Sequence, residues 1–135
     1  NFFRPSDKVL ASQTKNLLNN KSVRNCMQEI QKIGFYSHQS IINNNFDDFG
    51  LLLDAHFKLK KKMTKLMSNS YLDKIYEYSK EIGALGGKIV GAGGGGIFMC
   101  YVPIKSQKKF RKNILKTGIK EILWDMDTEG AKRIF

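Results

Sequence analysis

Apolar residues recur at intervals of three and four along the first part of the chain, up to about residue 82, and beyond it the period changes to two. The first pattern predicts helices over residues 6–19, 22–43, 46–67 and 70–82. Each start carries a residue able to cap: Ser22 precedes Val23, Met27, Ile30 and Ile33, Asn45 precedes Phe49, Leu52, Leu53 and Leu59, and Ser70 precedes Leu72 and Ile75. Gly83 follows the last of these helices as a stop signal, while Gly34 and Gly50 fall inside helical patterns and mark candidate breaks.

The second pattern predicts strands at "KIV" (88–90) and "IFMCYV" (97–102), then a helix over 106–116. A third strand is expected at "KEILWDM" (120–126), with Trp124 in the core, and a Thr-Glu-Gly turn leads to a fourth at "AKRIF" (131–135). This β-β-α-β-β order, with long helices before it, predicts an α+β domain: an antiparallel sheet covered by helices, with a helix-rich N-terminal half.

Composition narrows the class. At 135 residues, 41% hydrophobic and 26% charged, the chain fits a single domain with its own core, spanning 1–135. No apolar run reaches the roughly 18 to 20 residues of a membrane helix, so no membrane partner is expected. The opening "NFFRPSDKVL" has no basic start followed by an apolar stretch, and the missing initiator Met suggests a piece of a longer protein. Cys26 and Cys100 stand far apart without a CxxC or Cys/His cluster, which argues against zinc and fits a cytoplasmic setting.

Charge is the strongest bulk feature: 23 Lys plus Arg against 12 Asp plus Glu give +11. Such a balance invites a nucleic-acid reading. Most of the excess, however, lies in two helical runs, 58–65 and 105–116, and lysines at that spacing are expected to be solvated faces.

Between the first two predicted strands lies Gly91-Ala92-Gly93-Gly94-Gly95-Gly96, which takes five of the chain's 12 glycines. As a string it satisfies G-x-G-x-x-G, but it leads into a strand, whereas a dinucleotide fingerprint leads into a helix whose N-terminus holds the pyrophosphate. The preceding "GALGGK" has one residue too few for a Walker A loop, and Ile89 stands where a hydroxyl is required. A two-residue hairpin needs one or two glycines. The surplus means that the backbone passes close to something, either another chain segment or a phosphate cradled by backbone N–H groups.

The block from Ser68 to Val102, "SNSYLDKIYEYSKEIGALGGKIVGAGGGGIFMCYV", resembles the C-terminal domain of the GHMP kinases, small-molecule kinases that include galactokinase, homoserine kinase and mevalonate kinase. "HFKL" at 56–59 resembles the family's His-x-x-Leu segment, and "RPSDKVLASQTKN" resembles a segment of its sugar-phosphate branch, nearest the heptose-7-phosphate kinases. The resemblance implies a ferredoxin-like α+β sandwich with extra helices, acting as the acceptor-side domain of an ATP-dependent sugar-phosphate kinase. It implies that ATP and Mg are bound mainly by an N-terminal kinase domain, the partner, whose nucleotide loop and catalytic residues this sequence lacks. The chain alone is therefore expected to turn over no substrate.

The same resemblance places the turn Gly91, Ala92, Gly93, Gly94, Gly95 and Gly96 beside the phosphates, and makes Arg4, Ser6, Lys88 and His56 candidate contacts to a sugar phosphate. His56 lies on the apolar stripe of its helix, so packing competes with substrate contact there. His38 has no partner at useful spacing, and Asp73 in a first helical turn fits dipole stabilisation. A second class of function stays open, a basic ferredoxin-like module for RNA or an acidic protein, although neither "IFMCYV" nor "KEILWDM" has the Lys/Arg-Gly-Phe-Gly-Phe pattern of RNA-binding sheets. A homodimer through the surface that the N-terminal domain would cover stays open as a further partner.

Overall fold

The computed structural model describes residues 6–125 and 127–130. Its elements are α1 (Ser6–Asn19), α2 (Lys21–Ile42), α3 (Phe46–Met63), α4 (Ser70–Glu81), β1 (Gly86–Ile89), β2 (Phe98–Tyr101) and α5 (Ile104–Ile114), which runs into a 3-10 turn, Leu115–Thr117. The fold is α+β, as the periodicity predicts: α3 lies between α2 and an antiparallel β1–β2 hairpin. Among the described residues the helices start and stop within a few positions of their predicted bounds. Two caps sit one or two residues earlier than expected, because Asn outcompetes the neighbouring Ser. Asn20 accepts from the N–H groups of Ser22 and Val23, and Asn69 accepts from Leu72. Gly34 and Gly50 break nothing; α2 and α3 run through them.

Two clusters make the core. Val23, Cys26 and Met63 pack α2 against α3, with Ile30 and Leu59 alongside. Phe57, Met67, Tyr76 and Ile89 join α3, the 64–69 connection, α4 and β1. Within the second, Phe57, Tyr76 and Phe98 meet edge to face, with ring centroids 4.7, 5.5 and 5.9 Å apart.

The hairpin pairs Gly86 with Tyr101, Gly87 with Cys100, Lys88 with Met99 and Ile89 with Phe98. It rests on α3 at a place where both chains are bare. A Cβ on Gly86 would lie 2.1 Å from the Gly50 carbonyl oxygen and 2.6 Å from the Asp54 nitrogen, and one on Gly50 would lie 2.4 Å from Tyr101 Cδ1. This close approach sets the register of the strand against the helix. Two residues on from Gly86, Lys88 shares a cleft with His56 of the same helix.

Two expectations fail. The segment predicted as a third strand is not a strand over its described part, 120–125, and Trp124, expected in the core, is 76% exposed. Period two marks residues able to line a sheet, but a strand forms only where a neighbour accepts its backbone bonds, and the described hairpin offers none to this segment. The fourth predicted strand, 131–135, lies outside the described residues. No helix among the described residues is long and apolar enough to cross a membrane.

Candidate functional site

The 91–96 turn is bound to the body of the domain at one point. Val90 N–H donates to Ile97 O at 2.9 Å, closing the hairpin, and Gly94 N–H donates to Met67 O at 2.8 Å. Gly93 is buried against the same residue; a Cβ there would lie 2.3 Å from Met67 Sδ, at a φ of +101°. Met67 itself belongs to the core, so this part of the glycine surplus is a packing device. Gly91 and Gly96, with φ of +96° and +99°, are different: a Cβ on either would meet nothing within 4 Å. The two alternatives left open by the sequence thus divide between residues of one turn, close packing at 93 and 94 and an open edge at 91 and 96.

Beside the turn is a cleft of about 190 Å³ lined by His56, Phe57, Lys60, Met67, Lys88 and Gly91, among others. A second, about 250 Å³, runs between α2 and α3 past Ile30, Ile33, Ser37 and Leu53, and His56 and Lys88 line both. No acidic side chain lines either cleft. Three basic side chains converge, His56 and Lys60 one turn apart on α3 and Lys88 facing them from β1. Burial, then the Lys88 and Lys60 ammoniums, hold the His56 imidazole below its ordinary 6.5. Burial, then Lys88, likewise pulls Lys60 below 10.5. His56 Nδ1 is buried without a hydrogen-bond partner. Lys60 Nζ donates to Gln13 Oε1 of α1 at 3.1 Å.

Of the residues singled out in the sequence, the structure brings together Lys88, His56 and Gly91. Ser6 is the first residue of α1, exposed and outside both clefts, and Arg4 lies outside the described residues. His38 is exposed on α2. Asp73 does more than face a helix dipole, since its Oδ1 accepts from Ser68 Oγ at 2.9 Å and Lys61 Nζ at 3.0 Å. Lys60 was hidden in the 58–65 run, expected to be a solvated face. That expectation holds for the exposed lysines of 105–116 and for Lys58, Lys62 and Lys65, but not for Lys60, which turns inward, or Lys61, which is half-buried and paired with Asp73. The place of Lys60 four residues after His56 was the available signal. Gln13 gave none.

Behind the cleft, Asp54 ties α3 to α4. It accepts from the buried Tyr76 hydroxyl and pairs with Lys58 Nζ at 2.6 Å and Lys80 Nζ at 3.2 Å. Burial opposes its ionisation, but the bonds from Lys58, Tyr76 and Lys80 together outweigh that and hold the carboxyl below its ordinary 3.8. A carboxyl depressed by folding adds stability above its unfolded pKa, and that contribution is lost as pH falls through the folded value. Denaturant midpoints should therefore fall more steeply below pH 3.8 in the native chain than in Asp54→Asn. Equal slopes for the two proteins would show that Asp54 does not carry the acid sensitivity.

The fold defines a class first: an α+β domain in which helices cover an antiparallel hairpin whose turn is built of glycine. The chain belongs to the GHMP kinases, as their C-terminal domain; the family described as GHMP kinases C terminal matches residues 37–120, more than half of its length. Among curated proteins it is similar to D-glycero-alpha-D-manno-heptose 7-phosphate kinase of Campylobacter jejuni, 26% identical over 84% of this chain and 32% of that protein. It is also similar to a galactokinase of Staphylococcus saprophyticus, 31% identical over 64% of the chain and 22% of the relative. The bifunctional fucokinase/GDP-fucose pyrophosphorylase of Arabidopsis thaliana is 32% identical over 52% of the chain and 6% of its own length. The chain thus spans about a third of the heptose phosphate kinase and less of the other two.

Proposed function

We propose that this chain is the acceptor-side, C-terminal domain of a cytoplasmic, ATP-dependent sugar kinase whose acceptor is a sugar phosphate of the heptose 7-phosphate kind. The observation that carries the reading is the acid-free basic cleft that ends on the glycine turn. Phosphoryl transfer needs positioning of the acceptor and stabilisation of charge on the transferring oxygens; the ammoniums of the cleft serve the first and the backbone N–H groups of the turn the second. ATP would supply the phosphoryl group. In this domain the 91–96 turn approaches it, the bare edge at Gly91 and Gly96 leaving room for phosphate oxygens, while Lys88 and His56 hold the acceptor. The cleft offers no carboxylate of the sort that binds Mg²⁺, so the metal and the nucleoside would be held by the N-terminal kinase domain. The heptose relative, of the three named, covers the largest share of this chain, which supports the phosphorylated acceptor.

The test is phosphoryl transfer by the complete enzyme, with ATP, to a panel of phosphorylated and unphosphorylated hexoses and heptoses. Sugar phosphates should be preferred about tenfold or more in kcat/KM, the discrimination expected when a site built for a charged group is left unfilled. Equal or better use of unphosphorylated sugars would contradict the acceptor class, and no transfer to any sugar would contradict the kinase reading.

A further inference from the structure

In and beside the cleft, polar atoms remain that the protein itself does not satisfy. Gln13 is 7% exposed; its Oε1 accepts a hydrogen bond from Lys60 Nζ at 3.1 Å, and its Nε2 is buried with no hydrogen-bond partner. His56 Nδ1 is in the same condition. An unsatisfied buried polar group is costly, and native chains keep one only where something outside the described contacts answers it. Lys88 and Lys60 add two positive charges, neither with an ion pair among the described residues. An imidazole and two ammoniums line the cleft with no acid beside them, a set that one multivalent anion would satisfy together, while Gln13 reaches it through Lys60.

We infer that Lys60, Lys88, His56 and Gln13 form a site for the phosphate monoester that the acceptor already carries, distinct from the phosphoryl group that is transferred. The identification of the ligand rests on the sugar-phosphate kinase reading; the donor set stands without it. A phosphate monoester offers three terminal oxygens and up to two negative charges, matching two ammoniums with an imidazole beside them. The polar cleft, about 190 Å³, holds about six times the 30 Å³ share of a liquid water, which is room for a phosphate and the carbon that bears it. The adjoining cleft between α2 and α3, lined by Ile30, Ile33, Leu52 and Leu53, then takes the apolar face of the sugar. Gln13 and Lys60 are the new members: Gln13 holds the Lys60 ammonium at the cleft from α1, so α1 contributes to the site through Gln13 although Ser6, its first residue, does not reach it.

The test uses the two histidines as reporters in one chain, His56 in the cleft and His38 exposed on α2. Their ring signals are followed by heteronuclear NMR of the 135-residue chain during titration with inorganic phosphate, a hexose 6-phosphate, the free hexose and ATP. Phosphate and the sugar phosphate should move His56 and leave His38, and the free hexose should move neither. The charged groups facing His56 are Lys60 from α3 and Lys88 from β1, both positive, so a bound dianion should also raise its pKa. Lys60→Met and Lys88→Met should each weaken binding about tenfold or more. Gln13→Glu should abolish it, because the new carboxylate occupies Lys60 itself while keeping the side chain's shape.

Equal movement of both histidines, undiminished binding by Lys60→Met, or a response to ATP alone would overturn the site. In the complete enzyme, Lys60→Met should raise KM for the acceptor about tenfold and leave KM for ATP unchanged. A rise in the KM for ATP instead would assign the cluster to the nucleotide and overturn this inference while leaving the kinase reading intact. Absence of turnover on any sugar phosphate by the unmodified enzyme would overturn the kinase reading while leaving the His56 result to stand.

Discussion

Gly86→Ala is expected to lower the stability of the chain by about 3 kcal/mol or more, at the upper end of what overpacking costs. The added Cβ would lie 2.1 Å from the Gly50 carbonyl oxygen and 2.6 Å from the Asp54 nitrogen, both backbone atoms of α3. Neither can rotate away, so relief requires β1 to move off the helix. That movement opens the contact on which Phe57, Tyr76 and Ile89 pack, and it carries Lys88 away from His56. The control has the opposite sign. Gly34 lies mid-helix in α2, exposed, and a methyl group added there would have nothing within 4 Å, so Gly34→Ala should stabilise by about 0.5–1 kcal/mol through backbone entropy. Urea melts of both variants against the native chain check the pair, and a Gly86→Ala midpoint indistinguishable from native would mean that the hairpin can shift without loss.

The helices were legible because their apolar stripes repeat over many turns, and Asn20, Asn45 and Asn69 mark the starts even where Ser22 or Ser70 is the more obvious signal. The hairpin was legible for the opposite reason: a short period-two run on each side of a glycine turn has few other solutions. What the sequence could not convey is what depends on a neighbour. Ile122, Leu123 and Trp124 have the pattern of a strand and stay exposed, since pairing is decided by a partner and not by the segment. Lys60 reads as one lysine in a run until α1 brings Gln13 against it. Gly50 and Gly86 look unrelated, yet they are the two halves of one contact, and that contact determines the placement of Lys88. The family resemblance agreed with the α+β class read from periodicity and drew attention to Lys88, His56 and the turn; it could not say which glycines are packed and which are open.

Within the turn, packed and open glycines should respond to alanine in different ways. Gly93→Ala should act on folding, since its Cβ would meet Met67 Sδ at 2.3 Å within the core. Gly96→Ala should act on catalysis. Its φ of +99° costs a non-glycine residue about 1–2 kcal/mol, but no neighbour lies within 4 Å, so the domain should still fold. In the complete enzyme the new methyl would stand on the open edge of the turn, where the transferring phosphate is proposed to lie, and a displacement of about 1 Å there is enough to cost on the order of a hundredfold in rate. The decisive measurement is kcat/KM of that enzyme carrying Gly96→Ala, divided by the fraction folded at the assay temperature from a thermal melt of the same sample. A fall of about a hundredfold per folded molecule, with the acceptor and ATP both saturable, is the predicted result. Activity per folded molecule equal to that of the native enzyme would contradict it and leave the glycine turn as a packing device alone.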